Sequence, residues 1–133
     1  MAIQTCIFDA YGTLFDVAAA ARNAAQDPEF PELQDKWQSV AEHWRLKQLQ
    51  YTWLRALMDA HTDFWTVTQN GLDWALEKCG LDGRAELRER LLQLYWELQA
   101  YPEVPDMLAA LKREGLNTAI LSNGSPDMLA GAV

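Results

Sequence analysis

Positive charge is scarce in this 133-residue chain: 11 lysines and arginines stand against 19 aspartates and glutamates, a net charge of −8 at pH 7. Such a deficit disfavours nucleic acid and anionic membrane surfaces as partners. It also obliges any site for an anionic substrate to supply its own local cation. Long apolar runs are missing as well. None approaches the roughly 20 residues of a membrane span, and the start Met1-Ala2-Ile3-Gln4-Thr5 has neither the basic nor the apolar region of an export signal. Cysteine occurs only as Cys6 and Cys79, which read as reduced thiols, so a cytoplasmic protein is expected. His43 and His61 are the only histidines, and neither has cysteines or acidic clusters at metal-ligand spacing. Low-complexity tracts are absent. With half its residues hydrophobic, the chain is long enough to bury a real core.

What is present begins at Cys6-Ile7-Phe8-Asp9-Ala10-Tyr11-Gly12-Thr13-Leu14-Phe15-Asp16. A short apolar run delivers an aspartate, then a glycine and a threonine, and a helical pattern resumes after Asp16. The order reads as strand, tight loop, helix start. A carboxylate at the C-terminal end of a strand sits where open α/β sheets keep their chemistry. Gly12 lets the loop backbone approach a ligand closely, and the N–H groups after Asp9 suggest an anion-binding nest. Taken alone, Asp9 reads more readily as an aspartate that ends a strand and caps the following turn.

All six tryptophans (Trp37, Trp44, Trp53, Trp65, Trp74 and Trp96) fall in a middle stretch of helical patterns. From Glu32 to His61, one apolar stripe runs through Trp37, Val40, Ala41, Trp44, Tyr51, Leu54 and Met58. A second runs through Leu46, Leu49, Trp53, Leu57 and Ala60, which predicts a long helix covered on more than one side. Further helices are predicted from Asp63 to Cys79 and from about Arg84 to Leu98. Pro102 and Pro105 then break the pattern, and a short helix follows from Asp106 to Glu114. Asn117 to Gly124 repeats the opening form, a buried-strand pattern ending in the polar group Ser122-Asn123-Gly124. The order is strand, four helices, helix, strand, helix start.

Asp9-Ala10-Tyr11-Gly12-Thr13-Leu14-Phe15-Asp16 resembles the first motif of the haloacid dehalogenase superfamily, and Ser122-Asn123-Gly124 is similar to its second. Phosphatases of that superfamily carry a second aspartate where Tyr11 stands here, so the block looks like the 2-haloacid dehalogenase branch. A halide leaves as a stable anion and needs no acid there. The resemblance implies an α/β fold: a Rossmann-like core from residues 1–16 and 98–133, with an inserted four-helix cap at 17–97. The family's lysine and acidic motifs lie beyond its second motif, so the expectation is a core truncated after its second strand, or one completed by a second chain. Left alone, two strands would expose sheet edges and apolar faces.

The resemblance also implies residue roles. Asp9 would be the nucleophile, attacking C2 of a short L-2-haloalkanoic acid with inversion, and water would hydrolyse the aspartyl ester to a D-2-hydroxy acid. Thr13, Ser122 and Asn123 would orient Asp9 or the substrate carboxylate. Arg45 would receive the halide, because a guanidinium stays charged and is weakly hydrated. Tyr11, Leu46, Leu49 and Phe64, with Asn123, would line the substrate pocket, Leu46 standing where some relatives carry glutamine. No metal and no cofactor are expected. The aromatic cap surface suggests a homodimer. The alternatives are a magnesium-dependent phosphatase or phosphonate hydrolase of the same superfamily, and a non-catalytic dimerisation fragment.

Overall fold

Two short strands, Thr5–Phe8 (β1) and Asn117–Ile120 (β2), pair in parallel, with Thr5 opposite Asn117 and Phe8 opposite Ile120. Parallel neighbours need a crossover, and here it holds five helices. They are α1 (Ala19–Ala24), α2 (Trp37–Leu57), α3 (Phe64–Lys78), α4 (Ala85–Trp96) and α5 (Val104–Arg113); α6 (Pro126–Ala132) follows β2. The structure, a computed structural model, describes residues 2–132. Among them no helix is long and apolar enough to cross a membrane.

The helices share one interior. Val40 and Trp44 on α2, Leu72 and Ala75 on α3, and Leu87 and Leu91 on α4 are buried together with Leu33, and α1 adds Ala20, Ala21 and Ala24. Small residues let α1 lie close against α2 and α4. Gly71 does the same for α2 and α3: a Cβ there would stand 3.1 Å from the Gln48 nitrogen and 3.3 Å from the Trp44 carbonyl oxygen. At the start of α3, Asp63 accepts a hydrogen bond from the Thr66 N–H at 2.7 Å, an N-cap that satisfies one otherwise unpaired donor. Met128 of α6 is also buried, which ties the chain's last helix to the same core.

Four expectations change. The helix predicted from Glu32 to His61 is shorter: Pro31–Leu33 form a 3₁₀ turn, α2 starts at Trp37, and it stops at Leu57. Asp59 sits at φ 55°, a left-handed conformation that aspartate tolerates and that ends the helix. Helix α5 starts earlier than predicted, at Val104, because Pro105 occupies the first turn, where its missing N–H costs nothing. The second stripe on α2 is not covered: Leu46, Trp53 and Leu57 are 47%, 59% and 83% exposed. Nor are the strands buried. All of β2 is exposed, as are Ile3, Ile7 and Leu121, since among the described residues one sheet face meets no helix layer.

Candidate active site

Asp9 is the first residue beyond β1 and lies exposed at the strand's end. The chain then folds over the Ala10 carbonyl, which accepts from the N–H groups of Thr13, Leu14 and Phe15 at 3.2, 2.8 and 3.1 Å. Gly12 stands at φ 85°, and its N–H donates to the Phe15 carbonyl at 3.0 Å. The N–H groups of residues 12 to 15 are therefore spent inside the loop, and the suggested anion nest is narrower than the motif implies. The same turn carries Thr13 back over the strand end, where its hydroxyl donates to Asp9 Oδ2 at 3.1 Å.

Arg45 reaches this loop from α2. Its Nη2 donates to the Tyr11 carbonyl at 3.0 Å and its Nη1 to Gln48 Oε1 at 2.9 Å. The guanidinium passes so close to Gly12 that a Cβ there would lie 2.8 Å from Nη2. Gly12 thus meets two demands at once, a positive φ and a cation packed on its backbone.

Beneath Arg45 lies a buried polar network. Gln48 is 1% exposed, and its Nε2 donates to Thr68 Oγ1 and to the Tyr95 hydroxyl, both at 2.8 Å. The Thr68 hydroxyl in turn donates to the Phe64 carbonyl at 2.7 Å, and the Thr68 carbonyl accepts from the Trp44 indole N–H at 2.8 Å. Every polar atom of the Gln48 amide has a partner, which is what burial of an amide requires. The rings of Tyr11 and Tyr95 stack with centroids 5.6 Å apart, and Phe64 closes on Tyr11 at 5.5 Å. Burial pushes the Tyr11 hydroxyl up to about 12. It raises Tyr95 too, against the Gln48 hydrogen bond and the Arg45 charge, while the Asp9 charge adds to the rise. Tyr95 therefore feels both ionic groups of the site.

The second motif approaches from β2. Ser122 Oγ accepts from the Gly124 N–H at 3.1 Å, holding the turn. Gly124 packs on the Tyr11 ring, with a Cβ position only 2.7 Å from Cε2. Asn123 is exposed and, with Phe64, borders a cavity of about 120 Å³. Leu49 is half-buried, and Leu46 turns outward with the exposed stripe. So Asp9, Thr13, Tyr11, Arg45 and Phe64 come together around one loop, Ser122 and Asn123 flank it, and Leu46 stands apart. Among the described residues no three His, Cys, Asp or Glu side chains cluster to hold a metal ion.

Sequence reasoning passed over Gln48, Thr68 and Tyr95. Gln48 carried a signal: it extends the apolar stripe four residues beyond Trp44, and a polar residue on such a stripe needs buried partners.

Comparison with known proteins follows the same geometry. A family model described as hydrolase, haloacid dehalogenase-like hydrolase, matches residues 3–133. The (S)-2-haloacid dehalogenase 1 of Pseudomonas sp. (strain CBS-3) is 47% identical over 98% of this chain and 56% of its own length. The (S)-2-haloacid dehalogenase 4A of Burkholderia cepacia is 42% identical over 98% and 54%. Among solved structures, the L-2-haloacid dehalogenase of Xanthobacter autotrophicus with chloropropionic acid covalently bound superposes with TM-score 0.81 at 40% identity. That match covers 98% of this chain and 50% of that one. The chain spans about half the length of the curated relatives it matches. On the family match and these identities, the chain belongs to the haloacid dehalogenase-like hydrolases.

Proposed function

We propose that this chain carries the nucleophile and halide-binding half of a hydrolase that dehalogenates short L-2-haloalkanoic acids. The observation that supports it best is the Arg45 guanidinium seated on the loop that begins at Asp9. In this reading Asp9 attacks C2 opposite the halogen, the C–O bond forms as the carbon–halogen bond breaks, and C2 inverts. The departing halide takes the electron pair and is stabilised by Arg45. Water then adds to the Asp9 acyl carbon, and the 2-hydroxy acid leaves with one oxygen of the original carboxylate. Thr13 holds one Asp9 oxygen so that the other faces the substrate. Ser122 and Asn123 meet the substrate carboxylate, while Tyr11, Phe64 and Leu49 wall its alkyl side. Leu46, exposed on the outer stripe, contributes least to that wall. The relative captured with chloropropionic acid covalently bound supports a covalent route.

The division into a core of residues 1–16 and 98–133 and a cap of residues 17–97 belongs to the same reading. It is supported by the pairing of β1 with β2 across the helices between them, although one interior runs from Ala10, Tyr11, Leu14 and Phe15 through α1 to α4 to Met128. Two apolar surfaces are assigned to protein partners. The α2 stripe of Leu46, Trp53 and Leu57 suits a second copy of the chain, and the Ile3, Ile7 and Leu121 surface suits polypeptide that completes the core.

The experiment is chloride release from each enantiomer of 2-chloropropionate with EDTA present, beside Asp9→Asn. Release from the S enantiomer alone, lost on the order of 10⁴-fold or more in the variant, is expected. Release that persists in Asp9→Asn, or that EDTA abolishes, overturns the reading.

A further inference from the structure

The cavity bordered by Phe64 and Asn123 has a second wall that the dehalogenase reading leaves unused. Arg55, His61 and Thr62 line it together with the apolar side chains of Phe64 and Val67. Its volume of about 120 Å³ is roughly tenfold what one water needs. Arg55 stands ten residues beyond Arg45 on α2, about 15 Å along the axis at 1.5 Å per residue, so this is not the halide position. Among the described residues the four ion pairs use Arg22, Arg84, Arg88 and Arg90, and none uses Arg55. Arg55 also makes no side-chain hydrogen bond there, although the chain carries 19 acidic residues.

A half-buried guanidinium without a carboxylate, in one cavity with an imidazole, threonine hydroxyls and the apolar Phe64 and Val67, has the donors for one end of a short monocarboxylate and an apolar surface for the other. The Asn123 amide adds a donor to the lining, and the Phe64 ring continues to Tyr11 at 5.5 Å. The need is electrostatic. A surface of net charge −8 repels a carboxylate at long range, and a local cation at the mouth of the site restores its encounter rate.

We propose that Arg55 and His61 form an outer docking site for short-chain monocarboxylates, continuous through Phe64 and Asn123 with the substrate pocket, which receives the acid before it passes toward Asp9. That purpose rests on the dehalogenase reading; the binding itself does not.

The chain's two histidines make the test direct, because His61 lines the cavity while His43 packs edge-on against Trp74 at 5.5 Å. Proton NMR would follow both imidazoles as sodium propionate is added at fixed pH, against sodium chloride at equal ionic strength. The His61 signals are expected to shift and saturate with propionate, while chloride moves them little and His43 stays still. Arg55→Gln is expected to weaken the apparent affinity tenfold or more, and Arg55→Lys to restore part of it. The His43 signal beside Trp74 reports whether each variant is folded. Equal shifts with both salts, or a propionate response unchanged in folded Arg55→Gln, overturn the site. With 2-chloropropionate, Arg55→Gln should lower kcat/KM more than kcat. Absence of chloride release from the unaltered protein would count against the dehalogenase reading alone, since the propionate titration decides the site.

Discussion

The anion and the cation of the candidate site are held in opposite ways. Asp9 is exposed at a strand end and has one side-chain partner, Thr13, itself exposed. Arg45 is clamped between a loop carbonyl and a fully buried glutamine that is fixed by two hydroxyls. Under the proposed mechanism, the difference follows from what each group would have to do. A carboxylate that attacks carbon has to be reachable and weakly solvated by protein. A cation that receives a leaving anion works best when its geometry is set in advance, so that no reorganisation is needed as charge develops. The fold spends its buried polar contacts on the second task.

Breaking the cation's support should therefore cost more stability than disturbing the anion's. Gln48→Leu leaves the Tyr95 hydroxyl and one Arg45 nitrogen without their partner and removes the donor to Thr68. A loss of about 2–3 kcal/mol is expected, seen as a fall in Tm of roughly 6–12 °C. A Tm within a degree or two of the parent would show that the network is not under load. Gly12→Ala comes next, because it forces a Cβ into Arg45 and holds alanine at φ 85°. The left-handed conformation alone costs about 1–2 kcal/mol, and displacement of the guanidinium should reduce turnover further. Urea unfolding beside chloride-release assays separates the two effects.

Alkaline pH probes the same interior through Tyr11. Its ordinary value is 10.0 and burial lifts it to about 12, so between those values the folded state binds the proton and the unfolded state releases it. Its contribution to stability is full below pH 10 and is lost as pH rises toward 12. Tyr11→Phe should flatten that part of the pH–stability curve, and an unchanged slope would contradict the burial. Thr13→Val is the smallest change. It should move stability by less than about 0.5 kcal/mol, as exposed substitutions do, while lowering chloride release by loosening Asp9. A large loss of stability there would erase the contrast between the two groups.

Much of this was legible in the sequence, and the pattern of success has a physical cause. The Asp9 block and the Ser122-Asn123-Gly124 turn were readable because strand ends, positive-φ glycine and short polar residues are local signals. Helices α3 and α4 were placed to within a few residues for the same reason, their apolar periodicity being strong. The long helix was over-extended at both ends, since Pro31 diverts the first turn into 3₁₀ geometry and Asp59 ends the last by its backbone conformation. Apolar stripes say which faces seek cover, not whether cover is present; the open sheet around Ile7 was legible from the two-strand core, whereas the exposure of Trp53 on α2 was not. Gln48, Thr68 and Tyr95 lie 20 to 47 residues apart in pairs. Their meeting depends on the crossing of α2, α3 and α4, which no single window of sequence contains.

The parallel pairing of Thr5 with Asn117 also sets an order of events during synthesis. Strand β1 leaves the ribosome first, and its only strand partner among the described residues is made more than a hundred residues later. At about 5–20 residues per second, that interval is on the order of ten seconds. Local helical contacts form in microseconds, so α1 to α4 can assemble while the opening strand still waits with Ile3 and Ile7 in water. Until β2 arrives, the edge of that strand stays unpaired. The carboxylate at its end is therefore made well before the strand that pairs beside it.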